Sequence, residues 1–226
     1  MSNIKPETLL FLSDLKDNNN RVWFNGNKDR YDKAKENFSE FIQHIINQLA
    51  SIDPSIGMIT PKDCVFRIFR DLRFTPDKSP YKNHMGAYIA RGGRKNHWAG
   101  YYIHIEPNGS FVSGGIHKPQ SKIIRSIRKD MDFYSDTFLQ LVNNPDFKKT
   151  FSSLGSNSLK KIPAGFSSDS KVAHYLKLKE ITPMHALNDN DILSQNLVDS
   201  IIHIFCKMQP LVAFINRAIE AAYSEQ

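Results

Sequence analysis

Residues 101–116 run Tyr101-Tyr102-Ile103-His104-Ile105-Glu106-Pro107-Asn108-Gly109-Ser110-Phe111-Val112-Ser113-Gly114-Gly115-Ile116, and this stretch decides the fold class. Asn108-Gly109 between two alternating runs signals a hairpin, because both central positions of a type I′ turn need positive φ. A two-residue turn there sets Glu106 opposite Phe111, Ile105 opposite Val112 and His104 opposite Ser113. Side chains alternate across a sheet. One face then carries Tyr102, His104, Glu106, Phe111, Ser113 and Gly115, and the other carries Tyr101, Ile103, Ile105, Val112 and Ile116. The second face is core. The first is half polar and lies open to water or lines a cleft. Gly114-Gly115 lets another backbone or a bulky side chain approach the sheet.

Working outward, Cys64 to Arg70 is β-branched and aromatic and reads as the first strand, with Gly86 to Arg91 as the second. Gly92 to Asn96 is a basic loop. Ile181-Thr182-Pro183 adds an edge strand. Toward the N-terminus, Pro6 suits the first position of a helix, with Leu9, Leu10, Leu12 and Leu15 as its apolar stripe. Trp23-Phe24 is a short aromatic plug. From Lys28, Tyr31, Ala34, Phe38, Phe41, Ile42, Ile45 and Leu49 recur at helical spacing until Asp53-Pro54 stops the run.

Beyond the hairpin, a helix from Pro119–Ser121 turns Ile123, Ile124, Ile127 and Met131 inward and Lys122, Arg125, Arg128 and Lys129 outward. Shorter helices follow at Tyr134 to Val142, from Asn144-Pro145 to about Leu154, and at Lys171 to Leu178. The last helix runs from Ile192 to Ala222, and Pro210 is expected to kink or split it. The order of elements predicts an α+β fold: an antiparallel β-meander of about four to five strands, with helices from both ends of the chain packed on one face. No repeat or long linker interrupts it, so residues 1–226 read as a single α+β domain.

Composition agrees with a globular protein. The chain has 226 residues, with 15 Phe, 8 Tyr and 2 Trp, which is far too aromatic for a disordered segment. Lys and Arg total 30 against 23 Asp and Glu, a formal net charge of +7. Such a field draws anions: nucleic acid, nucleotides or phosphorylated metabolites. Cys64 and Cys206 lie far apart among apolar neighbours and read as buried thiols rather than a disulfide. The first residues lack the apolar core and cleavage site of a signal peptide. No stretch reaches the roughly 18 apolar residues of a membrane span. The expectation is a cytoplasmic protein with no membrane partner.

The chemistry-bearing stretch is Arg67 to Lys82, where Arg67, Arg70, Arg73, Lys78 and Lys82 accompany only Asp71 and Asp77. Guanidinium groups bind phosphate through paired N–H donors, and a proline-punctuated loop can curl several cations onto one anion. The expected binding residues are Arg70, Arg73, Lys78 and Lys82, with Tyr81 as a hydrogen-bonding wall and Asp77 as an orienter. The alternative is that the aspartates pair with the arginines and rivet the loop. His104 and Glu106 project from one strand to one side and form the candidate acid–base pair for phosphoester hydrolysis. His97 and His117 lie at the ends of the sheet. No H-x-H, HExxH or Cys–His spacing exists, so no metal is expected, and no P-loop or dinucleotide fingerprint calls for a cofactor.

The Arg67–Lys82 stretch closely resembles the signature RDxRFxxDKxPYK of a family known as domain of unknown function 2461. It matches at Arg70, Asp71, Arg73, Phe74, Asp77, Lys78, Pro80, Tyr81 and Lys82, with Leu72 standing where a small or β-branched residue is expected. Asn18 to Lys28 resembles the family's NNxRxWFxxNK segment. Tyr101-Tyr102 with Gly114-Gly115 is similar to its hairpin, and Pro163-Ala164-Gly165-Phe166 with Leu176 and Lys179 to its later motifs. The resemblance covers nearly the whole chain and implies the fold but no activity.

Three functions fit. The first is an anion-binding domain for a phosphorylated small molecule or nucleotide, with hydrolysis at His104 and Glu106. The second is a non-catalytic nucleic-acid-binding module using the Arg94-Lys95 loop and the Lys122–Lys129 face. The third is a protein-interaction domain whose charges are paired internally.

Overall fold

The computed structural model describes residues 3–73 and 75–224. Phe74, one of the signature positions, lies outside the described residues. The chain opens with α1 (Pro6–Asp17), which has proline in its first turn. It buries Leu9, Phe11, Leu12 and Leu15, while Leu10 is 57% exposed, so the inward stripe is shifted onto Phe11. The short α2 (Arg21–Gly26) starts where the Asn20 side chain accepts a hydrogen bond from the Trp23 amide. The long α3 (Lys28–Ile52) buries Ala34, Phe38, Phe41, Ile42, Ile45 and Leu49 at the expected spacing. It also buries Asn37, which accepts from Thr8 Oγ1 at 2.8 Å and from the Lys5 amide at 2.9 Å, and donates to the Asn3 carbonyl at 2.8 Å. A 3₁₀ turn follows at Pro54–Ile56.

The expected first strand is corrected. Cys64 closes α4 (Pro61–Cys64), which begins in a capping box between Thr60 and Asp63. From Val65 the chain is extended but makes only the isolated bridges Val65 to Ala87 and Phe69 to Tyr81. The reason is visible in its burial: Cys64 and Ile68 are buried, whereas Phe66 and Phe69 are exposed. In a regular strand Cys64, Phe66 and Ile68 would share one face, so an exposed Phe66 between two buried residues breaks the alternation. The sheet proper has β1 (Met85–Ala90), β2 (Gly100–Ile105), β3 (Phe111–Gly115) and, after the helices below, β4 (Met184–Ala186). It is antiparallel, four-stranded and ordered β1-β2-β3-β4, so the fold is α+β.

The β2–β3 turn also differs from the expected type. The Gly109 amide donates to the Glu106 carbonyl at 3.0 Å, so Pro107 and Asn108 occupy the central positions. Asn108 has φ of 58°, and Gly109 is not left-handed. Pro107 fixes the first central φ, which a type I′ turn cannot accept. The alternation of faces is as expected: Tyr101, Ile103, Ile105 and Val112 are fully buried.

Between β3 and β4 come α5 (Ser121–Phe133), α6 (Ser135–Asn143), α7 (Pro145–Thr150) and α8 (Ala173–Leu176). In α5 the expected inward residues are buried, and so is Arg128, which sequence spacing placed outside. Its Nη2 donates to the Leu178 carbonyl at 2.7 Å. After β4 come α9 (Asp189–Leu193), with an Asn188–Asp191 capping box, and α10 (Leu197–Ser224). Pro210 does not split α10. Phe205, Met208, Leu211 and Val212 are buried on both sides of it, and their packing outweighs the roughly 3 kcal/mol cost of an interior proline. By length and composition α10 could cross a membrane, a property the sequence count above did not register. Half of its most apolar window is buried in protein, as in a core helix.

The chain divides into two compact units. The first comprises the chain up to Lys95 with Tyr102–Val112 and Ala186–Ile202. Its core is aromatic and aliphatic, built on Phe11, Leu12, Phe38, Phe41, Ile45 and Leu49. The second comprises Asn96–Tyr101, Ser113–His185 and the chain from His203 onward. There Tyr101 packs on Phe205 at 5.0 Å between ring centres and Phe138 on Phe214 at 5.6 Å. Gly114 lies under the Met208 sulfur, where no side chain fits, and Gly115, at φ 87°, under the Ile181 carbonyl. Cys64 is buried as expected; Cys206 is exposed, on the outer side of α10.

Candidate functional site

The site lies wholly in the first unit, where the end of β2 meets the turn before β1. His104 and Glu106 are two residues apart on extended chain and project to one side. His104 Nε2 lies 2.9 Å from Glu106 Oε2, and the Tyr102 hydroxyl lies 3.0 Å from His104 Nδ1. Asn83 Nδ2 donates to Glu106 Oε1 at 2.6 Å. The His104 ring is stacked between His84 at 4.1 Å and Phe111 at 4.5 Å, and it is 8% exposed. His104 is therefore covered, while Tyr102, Glu106 and Phe111 on the same face stay half-exposed. Gly86 makes the arrangement possible: a methyl group there would sit 2.7 Å from the Tyr102 hydroxyl.

Burial sets the protonation states. It pushes the His84 imidazole down to about 4, with help from His104 and from Lys82 and Arg70, against the pull of Glu106. Burial also lowers His104, against the hydrogen bond and charge of Glu106. Burial and then Glu106 push the Tyr102 phenol up to about 12. At neutral pH both imidazoles are uncharged and Tyr102 keeps its proton. A neutral His104 that donates Nε2–H to Glu106 accepts the Tyr102 O–H at Nδ1, which makes a continuous chain from phenol to carboxylate. His84 makes no hydrogen bond among the described residues.

The signature segment borders this cluster. Arg70 Nη1 contacts Asp77 Oδ2 and the Ser79 carbonyl, while its Nε and Nη2 make no hydrogen bond to the described residues. Asp77 also accepts from the Ser79 amide and hydroxyl, and its carboxyl falls to about 2, mainly through those Ser79 bonds. Arg73 grips Asp71 through Nε at 3.0 Å and Nη2 at 2.6 Å, which likewise holds Asp71 at about 2. Lys78 Nζ donates to the Leu72 carbonyl at 3.1 Å and Lys82 Nζ to the Arg67 carbonyl at 2.9 Å. Neither lysine has a carboxylate partner among the described residues. The Lys82 ammonium sits 5.4 Å from the Phe66 ring, and its pKa is lowered by burial and by Arg67.

Tyr81 is in the core, 4% exposed. Its ring stacks on Phe24 at 3.9 Å, and Phe69 lies 5.5 Å away. Asn19 clamps its backbone from both sides, donating to the Tyr81 carbonyl at 2.9 Å and accepting from the Tyr81 amide at 3.1 Å. The two densest sequence motifs, Asn18–Lys28 and Arg67–Lys82, are thus joined through Asn19, Phe24 and Tyr81.

Other candidates are engaged elsewhere. His117 Nδ1 pairs with Glu180 at 2.7 Å, and His97 stacks on Tyr223 at 4.3 Å. Arg94 donates to the Lys62 carbonyl, and Lys122 lies over the Tyr223 ring. His84, Asn83 and Gly86 are the residues of this cluster that sequence reasoning misses. His84 lies twenty positions before His104, and only the pairing of β1 with β2 brings them together.

The fold and site define a class: an α+β protein with a half-buried imidazole–carboxylate cluster beside a cationic segment. The chain belongs to the family described as Conserved hypothetical protein (DUF2461), whose model matches residues 7–214. No curated protein and no solved structure matches the chain.

Proposed function

We propose that the protein binds a phosphate-bearing ligand beside His84 and hydrolyses its phosphoester, with His104 and Glu106 handling the proton. One observation carries this reading: the His84 ring, two residues after Lys82, stacks on His104 at 4.1 Å, which sets the cationic segment beside the proton-transfer chain. The phosphate meets the Lys82 ammonium and the unused donors of Arg70, and phosphate recognition by such groups is strong in a partly desolvated site. Charge that develops on the phosphoryl oxygens is held by the same cations. The His104–Glu106 pair is poised for proton transfer because Glu106 stabilises the imidazolium that forms when His104 takes a proton. Asp77 orients Arg70, and Asn19 and Tyr81 hold the segment in place.

The test is a thermal-shift and hydrolysis panel of phosphomonoesters, phosphodiesters, nucleotides and short oligonucleotides on wild type, Lys82→Met and His104→Gln. A ligand of this site raises the wild-type melting temperature by mass action and does so less for Lys82→Met. Hydrolysis falls by 10²-fold or more in His104→Gln while binding persists, the usual size of a lost general acid–base group. Silence across the panel, or equal shifts in wild type and Lys82→Met, contradicts the proposal.

A further inference from the structure

We propose that His84, His104 and Glu106 form a site for a divalent transition metal of the zinc class. The inference rests on the phosphoester reading for its place and shares its residues, but it stands on separate geometry and gives His104 and Glu106 a different role, because a nitrogen that holds a metal cannot also take a proton. One ligand atom from each of the three residues lies within 4.8 Å of the others. Two imidazoles and one carboxylate is a donor set that zinc, cobalt and iron(II) accept, while magnesium and calcium prefer oxygen alone. Ligand atoms about 2.0–2.2 Å from one metal lie roughly 3–3.5 Å from each other. His104 Nε2 and Glu106 Oε2 are already 2.9 Å apart.

The outer contacts fit the same purpose. A metal-bound imidazole normally donates its second N–H to an oxygen, and a metal-bound carboxylate is hydrogen-bonded in turn. Here the far nitrogen of His104 is 3.0 Å from the Tyr102 hydroxyl, and the far oxygen of Glu106 is held by Asn83 at 2.6 Å. Ligation asks His104 only to move its proton from Nε2 to Nδ1, where the Tyr102 oxygen becomes the acceptor. No net proton is released at that residue.

A hydrogen-bonded polar cluster accounts for His104 and Glu106 but leaves His84 unexplained. His84 is a half-buried imidazole stacked on another imidazole, with no hydrogen bond to the described residues. Its ring nitrogens are not sealed from solvent, so they are free to take a metal arriving from water. Three protein ligands leave room for a water or a phosphate oxygen, as in catalytic rather than structural sites. Lys82, two residues before His84, and Arg70, whose Nη1 reaches the Ser79 carbonyl, belong to the segment that leads into this cluster.

The experiment strips the full-length protein with EDTA and titrates it with Co²⁺, read by its visible absorption, and with Zn²⁺ against a chromophoric chelator. The expected result is one equivalent bound, with affinity reduced at least 100-fold in His84→Ala and in Glu106→Gln. Asn83→Ala weakens binding by 10–100-fold, the size of a lost outer contact. Circular dichroism of each variant separates ligand loss from unfolding, and His84→Ala is the decisive one because its ring lies outside the strand core. Absence of a cobalt spectrum in wild type, or an unchanged affinity in folded His84→Ala, overturns the proposal. Phosphate-ester binding by the EDTA-treated protein with no metal uptake sinks this inference alone. Stoichiometric metal uptake supports it even where no phosphate ester binds, a result that sinks only the phosphoester reading.

Discussion

Tyr102 lies across Gly86, and the placement of one hydroxyl depends on the absence of one methyl group. Gly86→Ala forces the far end of the phenol to move, because the new carbon would sit 2.7 Å from that oxygen. The protein is expected to stay folded, since the ring edge can yield, but the Tyr102–His104 hydrogen bond is lost. Long-range ¹⁵N spectra of the His104 imidazole report this as a change at Nδ1, and an unchanged Nδ1 signal contradicts it. At this scale the sequence is legible where spacing alone decides. His104 and Glu106 sit two apart on a strand, so their common side follows from the pleat. His84 is not legible, because its approach depends on which strand pairs with which. Arg128 misleads for a related reason: helical spacing puts it outside, whereas the Leu178 carbonyl draws it in.

Among the elements, the extended segment from Arg67 to Lys82 has no continuous ladder and is held by a few backbone bonds, Arg70 N–H to the Pro80 carbonyl and Lys82 N–H to the Ile68 carbonyl, together with side chains. Asn19 satisfies both backbone groups of Tyr81, so Asn19→Ala leaves a partly buried amide and carbonyl without partners. The expected cost is about 1–3 kcal/mol, measured by denaturant unfolding, with faster hydrogen exchange concentrated in this segment. A loss spread evenly over the chain contradicts the clamp. Asp71 and Asp77 give the segment an acid limit. Their folded carboxyls titrate at about 2, below the usual carboxylate range, so the order they lend is present above pH 4 and is lost as pH falls through about 2. Carboxyl ¹³C titration should place both midpoints near 2, and midpoints near 4 contradict the pairing with Arg73 and with Ser79 and Arg70. The β2–β3 hairpin and the long helices are legible from period, whereas the Cys64–Arg70 run is not. Its residues favour a strand, but the helix that starts at the Thr60–Asp63 capping box takes in Cys64, and Phe66 and Phe69 are exposed beyond it.

At the scale of the whole molecule, the +7 net charge favours anionic ligands in general and chooses none of them. On the proposed reading selection belongs to the first unit, where the signature cations border a cluster of two imidazoles and a carboxylate. Half of this is readable beforehand, because the cations crowd one stretch of sequence. The other half needs the fold, because His84 reaches His104 and Glu106 only once β1 and β2 pair. The most direct measurement is a titration of ¹⁵N-histidine-labelled protein with inorganic phosphate, with and without one equivalent of Zn²⁺, read at the His84 and His104 ring nitrogens. The account predicts saturable, parallel shifts at both rings that are weakened in Lys82→Met. Rings that stay unmoved under both conditions, up to phosphate concentrations that merely screen charge, contradict it.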